Sequence, residues 1–557
     1  MDKIIMACFN FTKQTVALKS KGADEERASG GLFWIIFSTL YIATSCCISY
    51  FGLWGNWCTC VFGLRHQDIW DPGAVYLASA ISFFDERYTA FVGHPGLFLM
   101  LLMQLIARLY YLIGSICIET PVAYYSFLAK NLFGLIFITK LVMTIIDLLS
   151  FYALYSLALR LFRDKWLARY SVIAFATTFS VLYYINFIVP EHLLLLFMLL
   201  SIDCAWRSYE SRDQENSAKG YQYIALSAIF AVAAVFTKMM IAAPLLVLIP
   251  ILLMLQKKSL TGKCFIPLRE RIVSAFTFVG AAVPFALLCS YKVNWSKFLG
   301  FWFVHAPGSL SFDSSKSSLV NVGVNSLVFL QKLGEKSFQR IMSSNLLFSN
   351  DDTDTRLAVM AEFIFFICAT IGIVQYYAKF KDKRRYVYWL MFLVVSISPV
   401  VLYRWSTHYL MLPLALASIF VGYFVNNIIG GKLTGGLNRP LVVVVSIIVI
   451  HLGSIALFVD AKRFDIVEYQ RNWRPYYEAL ASIDYNGKIG IIRGHSANSL
   501  SGTMFDWGPS DIFITEFSKY FVPITEIFTD AELQKQNIQV VIEHSSEGVR
   551  ARRMVNR

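Results

Sequence analysis

Long apolar runs separated by short polar connections dominate the chain between residues 32 and 459. A helix needs about 20 predominantly apolar residues to cross the roughly 30 Å hydrocarbon core of a bilayer. The pattern therefore predicts an all-α polytopic membrane protein. Eleven runs are long enough, at residues 32–53, 131–159, 170–188, 190–206, 221–237, 239–256, 272–291, 358–378, 386–403, 408–427 and 440–459.

The apolar stretch from Pro95 to Ile116 is not counted among these spans. If it crossed the membrane alone, all the basic loops that follow would lie on the opposite side from the one predicted. Arg108 lies in its middle, and a charge at the bilayer centre is unfavourable unless it reaches an interface or a polar cavity. We therefore predict a membrane-surface or re-entrant helix here. The alternative is that the segment from Pro95 to Arg160 contains additional crossings, which raises the total to about thirteen spans.

Composition and charge agree with a membrane protein and set its orientation. Hydrophobic residues make up 57% of the chain and charged residues 16%, against about 25% charged residues in soluble domains. Nineteen Lys and Arg residues lie in five connections, RLFRDKWLAR, RSYESRDQENSAK, KKSLTGKCFIPLRER, KFKDKRR and GGKLTGGLNR, which the positive-inside rule places in the cytoplasm. The net charge of +13 thus recurs at alternate loops, instead of forming the single basic face that nucleic-acid binding needs.

The predicted topology divides the chain into three parts. Residues 1–30 form a cytoplasmic N-terminal segment, whose polar character is unlike that of a cleavable signal peptide. Residues 31–459 form the transmembrane domain, with outer loops at 54–94 and 292–357. Residues 460–557 contain the helix-like run NWRPYYEALASID and the strand-like runs GKIGIIRG, DIFITEF and IQVVIEH, which predict a small extracytoplasmic α/β domain.

Several charged residues lie where the predicted outer turns should be poor in Lys and Arg. Lys238 closes the run AVAAVFTK, and Arg404 and His408 lie in LYRWSTHYLMLPL. The turn FIVPEHLLLLF adds Glu191 and His192. Snorkelling to lipid headgroups is the alternative for Lys238, and simple complementation of the helix dipole is the alternative for Glu191. Together the cations indicate an anionic partner on the outer side.

The first outer loop supplies the matching acidic groups. Asp68 and Asp71 lie in DIWDPGAVYLASA, which also contains Tyr76, and His94 follows in VGHPGLF. A carboxylate can accept the proton of an incoming hydroxyl, while cations neutralise a phosphate leaving group. The outer face therefore suits chemistry on a lipid-linked phosphate at the membrane boundary.

These motifs resemble those of the GT-C superfamily of polyprenyl-phosphate-dependent glycosyltransferases, over roughly residues 30 to 460. The chain is most similar to the branch that holds lipid A aminoarabinose transferase and the protein O-mannosyltransferases. In this resemblance Asp71 matches the acidic residue that starts the first outer loop, and Tyr76 lies in the surface helix that follows. His94 takes the place of a basic residue that contacts the donor phosphate, and Glu191 of PEHLLLL takes the place of an Asp.

The resemblance extends to the later outer turns. Thr237 and Lys238 match a Thr-Lys pair at the end of a span, and HYLMLPL is similar to an Arg-Tyr-Leu-x-Pro motif, with Arg404 four residues before His408. Many members carry two adjacent acids in the first loop, whereas this chain has Asp71 followed by proline. The choice of catalytic base therefore stays open between Asp71 and Asp68.

The resemblance implies an inverting transfer of a sugar from a polyprenyl-phosphate donor to a hydroxyl of a membrane-associated or secreted acceptor. The donor phosphate would be bound by His94, Lys238, Arg404 and His408, with Tyr76, Glu191 and His192 in support. No metal or other cofactor is predicted, since the lipid-linked sugar is itself the donor substrate. We expect an integral protein of a bacterial inner (cell) membrane, with its N-terminus in the cytoplasm and its C-terminus outside.

Two other functions fit the same composition. A surface-polysaccharide polymerase or ligase also uses lipid-linked sugars and outer-face Arg and His residues, but its donor is diphosphate-linked, and the C-terminal soluble domain is less expected. A secondary transporter also has about twelve spans, but it is expected to show paired internal repeats and polar groups near mid-span. The sequence shows no such repeat, and its polar groups collect at one face.

The predicted topology can be tested by thiol labelling in a background that lacks the native cysteines. A cysteine in place of Ser309 or Ser496 should react with a membrane-impermeant thiol reagent in intact cells, because both positions lie outside. A cysteine in place of Ser259 should react only after permeabilisation. Labelling of the Ser259 position alone in intact cells would reverse the orientation.

Overall fold

The structure is a computed structural model. It describes residues 31–45, 76, 80–81, 83–84, 96–116, 123–178, 181–182, 188–213, 217–256, 265–295, 353–379, 389–394, 396, 411–432, 488–492, 521–524, 529–545 and 548–553.

Helices make up the described part of the predicted membrane domain. In chain order they are α1 (Gly31–Ser45), α2 (Leu97–Ile116), α3 (Tyr124–Lys130), α4 (Leu132–Phe162), α5 (Lys165–Ala176), α6 (Glu191–Asp213), α7 (Ser217–Thr237), α8 (Met239–Leu255), α9 (Leu268–Ser290), α10 (Thr353–Lys379) and α11 (Met411–Lys432).

These helices confirm the predicted helical membrane fold. Four of them contain segments long and apolar enough to cross a bilayer, at Leu97–Ile116, Phe137–Phe162, Ala218–Thr237 and Leu268–Ser290. Shorter apolar helices lie at Gly31–Ser45, Ile241–Leu255, Phe365–Lys379 and Met411–Asn427. The predicted span at 440–459 lies outside the described residues, and the span at 386–403 is described as helix only over 389–394 and at 396.

Helices α6 and α7 form an antiparallel pair whose register is fixed by two serines. The Ser201 hydroxyl donates to the Ser227 carbonyl oxygen at 2.9 Å, and the Ser227 hydroxyl donates to the Ser201 carbonyl oxygen at 2.8 Å. Small polar residues allow such close approach of helices within a membrane. Helix α6 begins at Glu191, ten residues before Ser201, and α7 ends at Thr237, ten residues after Ser227. Both helix ends therefore lie about 15 Å from the serine contact, on the same side of it.

Helix α4 runs parallel to α6. Asp147 of α4 contacts His192 near the start of α6, and Arg160 near the end of α4 contacts Asp203 further along α6. The bundle therefore has two distinct ends, which we call the Lys238 end and the Arg160 end. In the predicted topology the first faces outward and the second faces the cytoplasm.

A glycine allows α5 and α11 to touch along their backbones. A Cβ atom on Gly422 would lie 2.3 Å from Ser171 Oγ and 2.7 Å from the Ser171 backbone nitrogen. Only glycine avoids this overlap, since the backbone of α5 cannot move aside as a flexible side chain can. This contact joins the C-terminal part of the membrane domain to its first half.

Helix α2 is unbroken, and its contacts lie at the Lys238 end of the bundle. Phe98 packs against Phe197 of α6 and Phe285 of α9, with ring centroids 5.4 and 6.1 Å apart. Arg108 stacks over the ring of Tyr124, 4.1 Å from its centroid. Helix α2 is long and apolar enough for a crossing, and its predicted membrane-surface or re-entrant placement stays a prediction.

The described part of the C-terminal tail contains strands and a short helix. Strands β1 (Lys488–Ile492), β2 (Phe521–Ile524), β3 (Ile538–Ser545) and β4 (Gly548–Arg553) form a sheet in the order β2-β1-β3-β4. β1 pairs in parallel with β2 and β3, and β3 pairs antiparallel with β4. Helix α12 (Asp530–Lys535) begins with a capping box between Thr529 and Glu532, whose two hydrogen bonds satisfy donors at the helix start.

Two of the predicted strands in this tail are confirmed. GKIGIIRG contains β1 and IQVVIEH lies within β3. The predicted helix NWRPYYEALASID and the predicted strand DIFITEF lie outside the described residues. The position of this tail outside the membrane stays a prediction.

Candidate functional site

A buried ion pair lies at the Lys238 end of the bundle. The Lys238 ammonium donates to Glu191 Oε1, and the two residues are only 1% and 2% exposed. The register of α6 against α7 brings them together, since both lie about ten residues from the crossing at Ser201 and Ser227. Burial of both charges is tolerated because each neutralises the other.

The backbone around the pair favours these two charges at these positions. Glu191 is the first residue of α6, where the positive end of the helix dipole stabilises a carboxylate. Lys238 lies between α7 and α8 and is the N-cap residue of α8, with φ −154° and ψ 89°. This break ends α7 just before the lysine, so its ammonium also lies near the negative end of that helix. Snorkelling to the lipid surface does not describe the position of Lys238, because its side chain is buried against Glu191.

A second set of buried polar groups lies beside the pair. His192 follows Glu191 in the chain, and its Nδ1 lies 2.7 Å from Asp147 Oδ1. The other Asp147 oxygen, Oδ2, accepts a hydrogen bond of 3.0 Å from the Tyr41 hydroxyl. Both carboxylate oxygens of Asp147 are thus held. We call Tyr41, Lys140, Asp147, Glu191, His192 and Lys238 the Lys238 cluster.

The polar face of α4 continues from Asp147 toward the beginning of the helix. Lys140, Thr144 and Asp147 are spaced as i, i+4 and i+7, which puts them on one face. Lys140 and Thr144 are buried, and the Thr144 hydroxyl lies 2.5 Å from the hydroxyl of Ser45 on α1. A buried lysine in an otherwise apolar helix is typical of a functional position in a membrane protein.

Sequence reasoning missed three members of this cluster, Tyr41, Lys140 and Asp147. The available signal was that Lys140 and Asp147 interrupt the apolar run at 131–159 with charges. Such charges rarely face lipid. Tyr41 gave no comparable signal, because tyrosine is common in apolar helices and its hydroxyl partner depends on the contact between α1 and α4.

The opposite end of the bundle carries a separate charged network. Arg160 Nε donates to Asp203 Oδ1 at 3.0 Å, and its Nη1 donates to Glu210. Arg207 Nε donates to the other Asp203 oxygen, Oδ2, at 2.7 Å. These pairs join α4 to α6 and balance one another, and we assign them a structural role.

Two contacts attach described parts of the first outer segment to the bundle. Tyr76 is fully buried, and its ring lies over Gly96 at the start of α2. Gly96 has a φ of +51°, and a Cβ atom there would lie 2.4 Å from Tyr76 Cε1, so glycine is required. The Lys292 ammonium, just after α9, donates to the Phe83 carbonyl oxygen at 2.7 Å.

The structure places four of the predicted site residues. Glu191, His192 and Lys238 lie together, and Tyr76 lies at the start of α2. Asp68, Asp71, His94, Arg404 and His408 lie outside the described residues. Within the described part of the chain, no group of three or more His, Cys, Asp and Glu side chains is arranged to hold a metal ion. The roles predicted for all nine site residues stay predictions.

Comparison with known protein families relates part of this bundle to one family of transferases. Residues 75–298 match the family model of dolichyl-phosphate-mannose-protein mannosyltransferases. This match confirms the predicted resemblance to glycosyltransferases that use polyprenyl-phosphate-linked sugars. The match, which covers less than half of the chain, indicates a membrane glycosyltransferase. No curated protein sequence matches the chain significantly.

The matched segment of this glycosyltransferase covers the buried charges described above. It includes Lys140, Asp147, Glu191, His192 and Lys238. It begins just after Asp68 and Asp71, and it ends before Arg404 and His408. The buried part of the candidate site therefore lies within the family match, whereas the predicted base lies at its edge.

The glycosyltransferase is also similar to a solved structure, the crystal structure of ArnT from Cupriavidus metallidurans bound to undecaprenyl phosphate. The two chains share 11% sequence identity with a TM-score of 0.43, over 87% of this chain and 89% of the other. At this score the similarity assigns no residue.

The buried pair can be tested through stability in detergent. Lys238→Met keeps the length of the side chain but leaves the Glu191 carboxylate buried without the ammonium. We expect the free energy of unfolding to fall by roughly 3 to 5 kcal/mol. The double variant Lys238→Met/Glu191→Gln should recover much of this loss, because it carries neither charge.

Lys219→Met is the matched control for this measurement. Lys219 is exposed near the beginning of the same helix, α7, so its replacement should change stability by less than about 0.5 kcal/mol. Equal effects of the two single variants, measured by thermal or denaturant unfolding, would show that the ion pair does not stabilise the bundle.

Proposed function

We propose that this glycosyltransferase transfers a sugar from a polyprenyl-phosphate donor to a hydroxyl group of a lipid, glycan or protein at the outer face of the membrane. The observation that carries the proposal is the buried Lys238 within the family-matched segment, at the end of the bundle to which the first outer segment is attached. We infer that its ammonium, which pairs with Glu191 in this structure, also contacts a phosphate whose lipid tail stays in the bilayer.

Lys238 supplies the best-defined part of the proposed donor site. Its ammonium carries three hydrogen-bond donors, and a hydrogen bond between charged groups contributes about 1.5 to 3 kcal/mol. His94, Arg404 and His408 are proposed to complete the phosphate site from other outer turns. Several cations are needed, because the phosphate gains negative charge when its bond to the sugar breaks.

The proposed base is Asp71, with Asp68 as the alternative. The carboxylate takes the proton of the acceptor hydroxyl while the hydroxyl oxygen attacks the anomeric carbon from the face opposite the phosphate. The bond from the anomeric carbon to the phosphate oxygen breaks, polyprenyl phosphate leaves, and the configuration of the sugar inverts. Tyr76 lies five residues after Asp71, and Gly96 lies two residues after His94. The contact between Tyr76 and Gly96 therefore joins the two segments that contain the proposed base and the proposed phosphate ligand.

The proposed location follows from the same chemistry. The donor headgroup must face the compartment that holds the acceptor, so the Lys238 end faces outward and the basic connections at the Arg160 end face the cytoplasm. We propose a bacterial inner (cell) membrane as the site of action, with the N-terminus in the cytoplasm and residues 460–557 outside.

The reaction can be tested with purified protein, synthetic polyprenyl-phosphate sugars and a panel of hydroxyl acceptors, by measuring the release of polyprenyl phosphate. Asp71→Asn should lower the turnover rate by at least about 100-fold, because general base catalysis contributes 10² to 10⁴. Donor affinity should be largely retained, since the side chain keeps its size. Asp85→Asn, a change of the same kind in the same outer loop, should keep the wild-type rate.

The outcomes separate the candidate roles. Retained turnover in Asp71→Asn with loss in Asp68→Asn transfers the role of base to Asp68. Consumption of diphosphate-linked oligosaccharides in place of monophosphate-linked sugars would contradict the proposal and favour the polymerase or ligase function.

A further inference from the structure

The described charges of the Lys238 cluster balance one another before any phosphate arrives. Lys238 pairs with Glu191, and Lys140 lies seven residues before Asp147 on one face of α4; all four side chains are buried. His192 lies against Asp147 at 2.7 Å. A phosphate group bound beside Lys238 adds negative charge to this set, and a buried negative charge is unfavourable unless it is neutralised.

Glu191 is the carboxylate that an incoming phosphate would meet, because it already binds the ammonium that the phosphate needs. Asp147 is held on both oxygens, by His192 and by Tyr41. His192 lies against Asp147, with its Nδ1 2.7 Å from the Asp147 carboxylate. A proton from solvent on Glu191 would remove the repulsion between its carboxylate and the phosphate.

The described neighbouring helices add few charges at this place. Arg108 of α2 stacks over Tyr124, and the cations proposed above, His94, Arg404 and His408, lie outside the described residues. Helix α8 carries no charged residue, and the one charged residue of α11, Lys432, is the last residue of that helix. On α4 the charged residues of this half are Lys140 and Asp147, and Lys292 after α9 binds the Phe83 carbonyl oxygen. Among these described elements, Glu191 is therefore the acid best placed to respond to charge at Lys238.

The transfer reaction makes this response specific for one ligand state. The donor is a phosphodiester with a single negative charge, whereas the released polyprenyl phosphate is a monoester that can carry two. When the bond between sugar and phosphate breaks, the phosphate gains one negative charge beside Lys238. The proton of the acceptor hydroxyl goes to the catalytic base, so a proton for Glu191 comes from solvent.

We propose that Glu191 takes up one proton from solvent when a phosphate monoester, but not a phosphodiester, occupies the site beside Lys238. This inference rests on the proposed function and adds a pH-dependent step to it. Affinity for the leaving polyprenyl phosphate falls as pH rises, because protonation and monoester binding favour each other. Affinity for the donor sugar diester lacks this dependence, so higher pH favours release of product over loss of donor.

The proposal can be tested by titration calorimetry of the full-length protein in detergent with farnesyl phosphate, a short-chain monoester. Comparison of buffers with different ionisation enthalpies gives the number of protons taken up. On binding, wild type should take up about one proton more than Glu191→Gln does. Protons exchanged by the ligand itself contribute equally to both measurements, so they do not affect this difference. Methyl farnesyl phosphate, the matched diester, should give equal proton numbers for both proteins.

Glu210→Gln is the control variant, because it makes the same change in an ion-paired glutamate at the other end of α6. It should keep the wild-type proton number. If wild type binds farnesyl phosphate without the additional proton, or if Glu210→Gln loses the proton as Glu191→Gln does, the inference is overturned while the proposed function stands. Absence of farnesyl phosphate binding to wild type would instead contradict the proposed donor site.

Infrared spectroscopy of the wild-type protein provides a second test, which does not require that Glu191→Gln folds correctly. Addition of farnesyl phosphate to wild type should produce a new C=O stretching band of a protonated carboxyl group, which shifts when glutamate is labelled with ¹³C. Methyl farnesyl phosphate should produce no such band. Proton uptake without this band would assign the proton to another group, such as His192, and overturn the role of Glu191.

Discussion

The ion pair between Glu191 and Lys238 is the interaction on which this account depends. The contact between Ser201 and Ser227 aligns the beginning of α6 with the end of α7. The carboxylate of Glu191 therefore lies beside the ammonium of Lys238. Neither charge could remain buried alone. Removal of one partner would therefore leave an unneutralised buried charge, and we propose that the same lysine binds the donor phosphate.

The two ends of the bundle use charge in different ways. At the Arg160 end, Asp203 accepts from both Arg160 and Arg207, and the part-exposed pair with Glu210 completes a network that needs no further ligand. At the Lys238 end, Lys140, Asp147, Glu191, His192 and Lys238 are all buried. We propose that a phosphate monoester bound at this end is accompanied by a proton on Glu191.

The sequence predicted the helical membrane fold well, because spans of about 20 apolar residues leave little choice of structure. It also singled out Glu191, His192 and Lys238, since charges at the ends of apolar runs are conspicuous. It could not show that Glu191 and Lys238 touch, because that depends on the register of α6 against α7. It missed Tyr41 and Asp147, whose hydrogen bonds depend on the packing of α4 against α1 and α6, and it missed the buried Lys140.

The most direct test of this account is an experimental structure of the full-length protein with bound polyprenyl phosphate. We expect a phosphate oxygen within about 3 Å of Lys238 Nζ, with the Glu191 carboxyl group beside it and the lipid tail along the bundle. A phosphate bound remote from Lys238, with the Glu191–Lys238 pair unchanged, would contradict it.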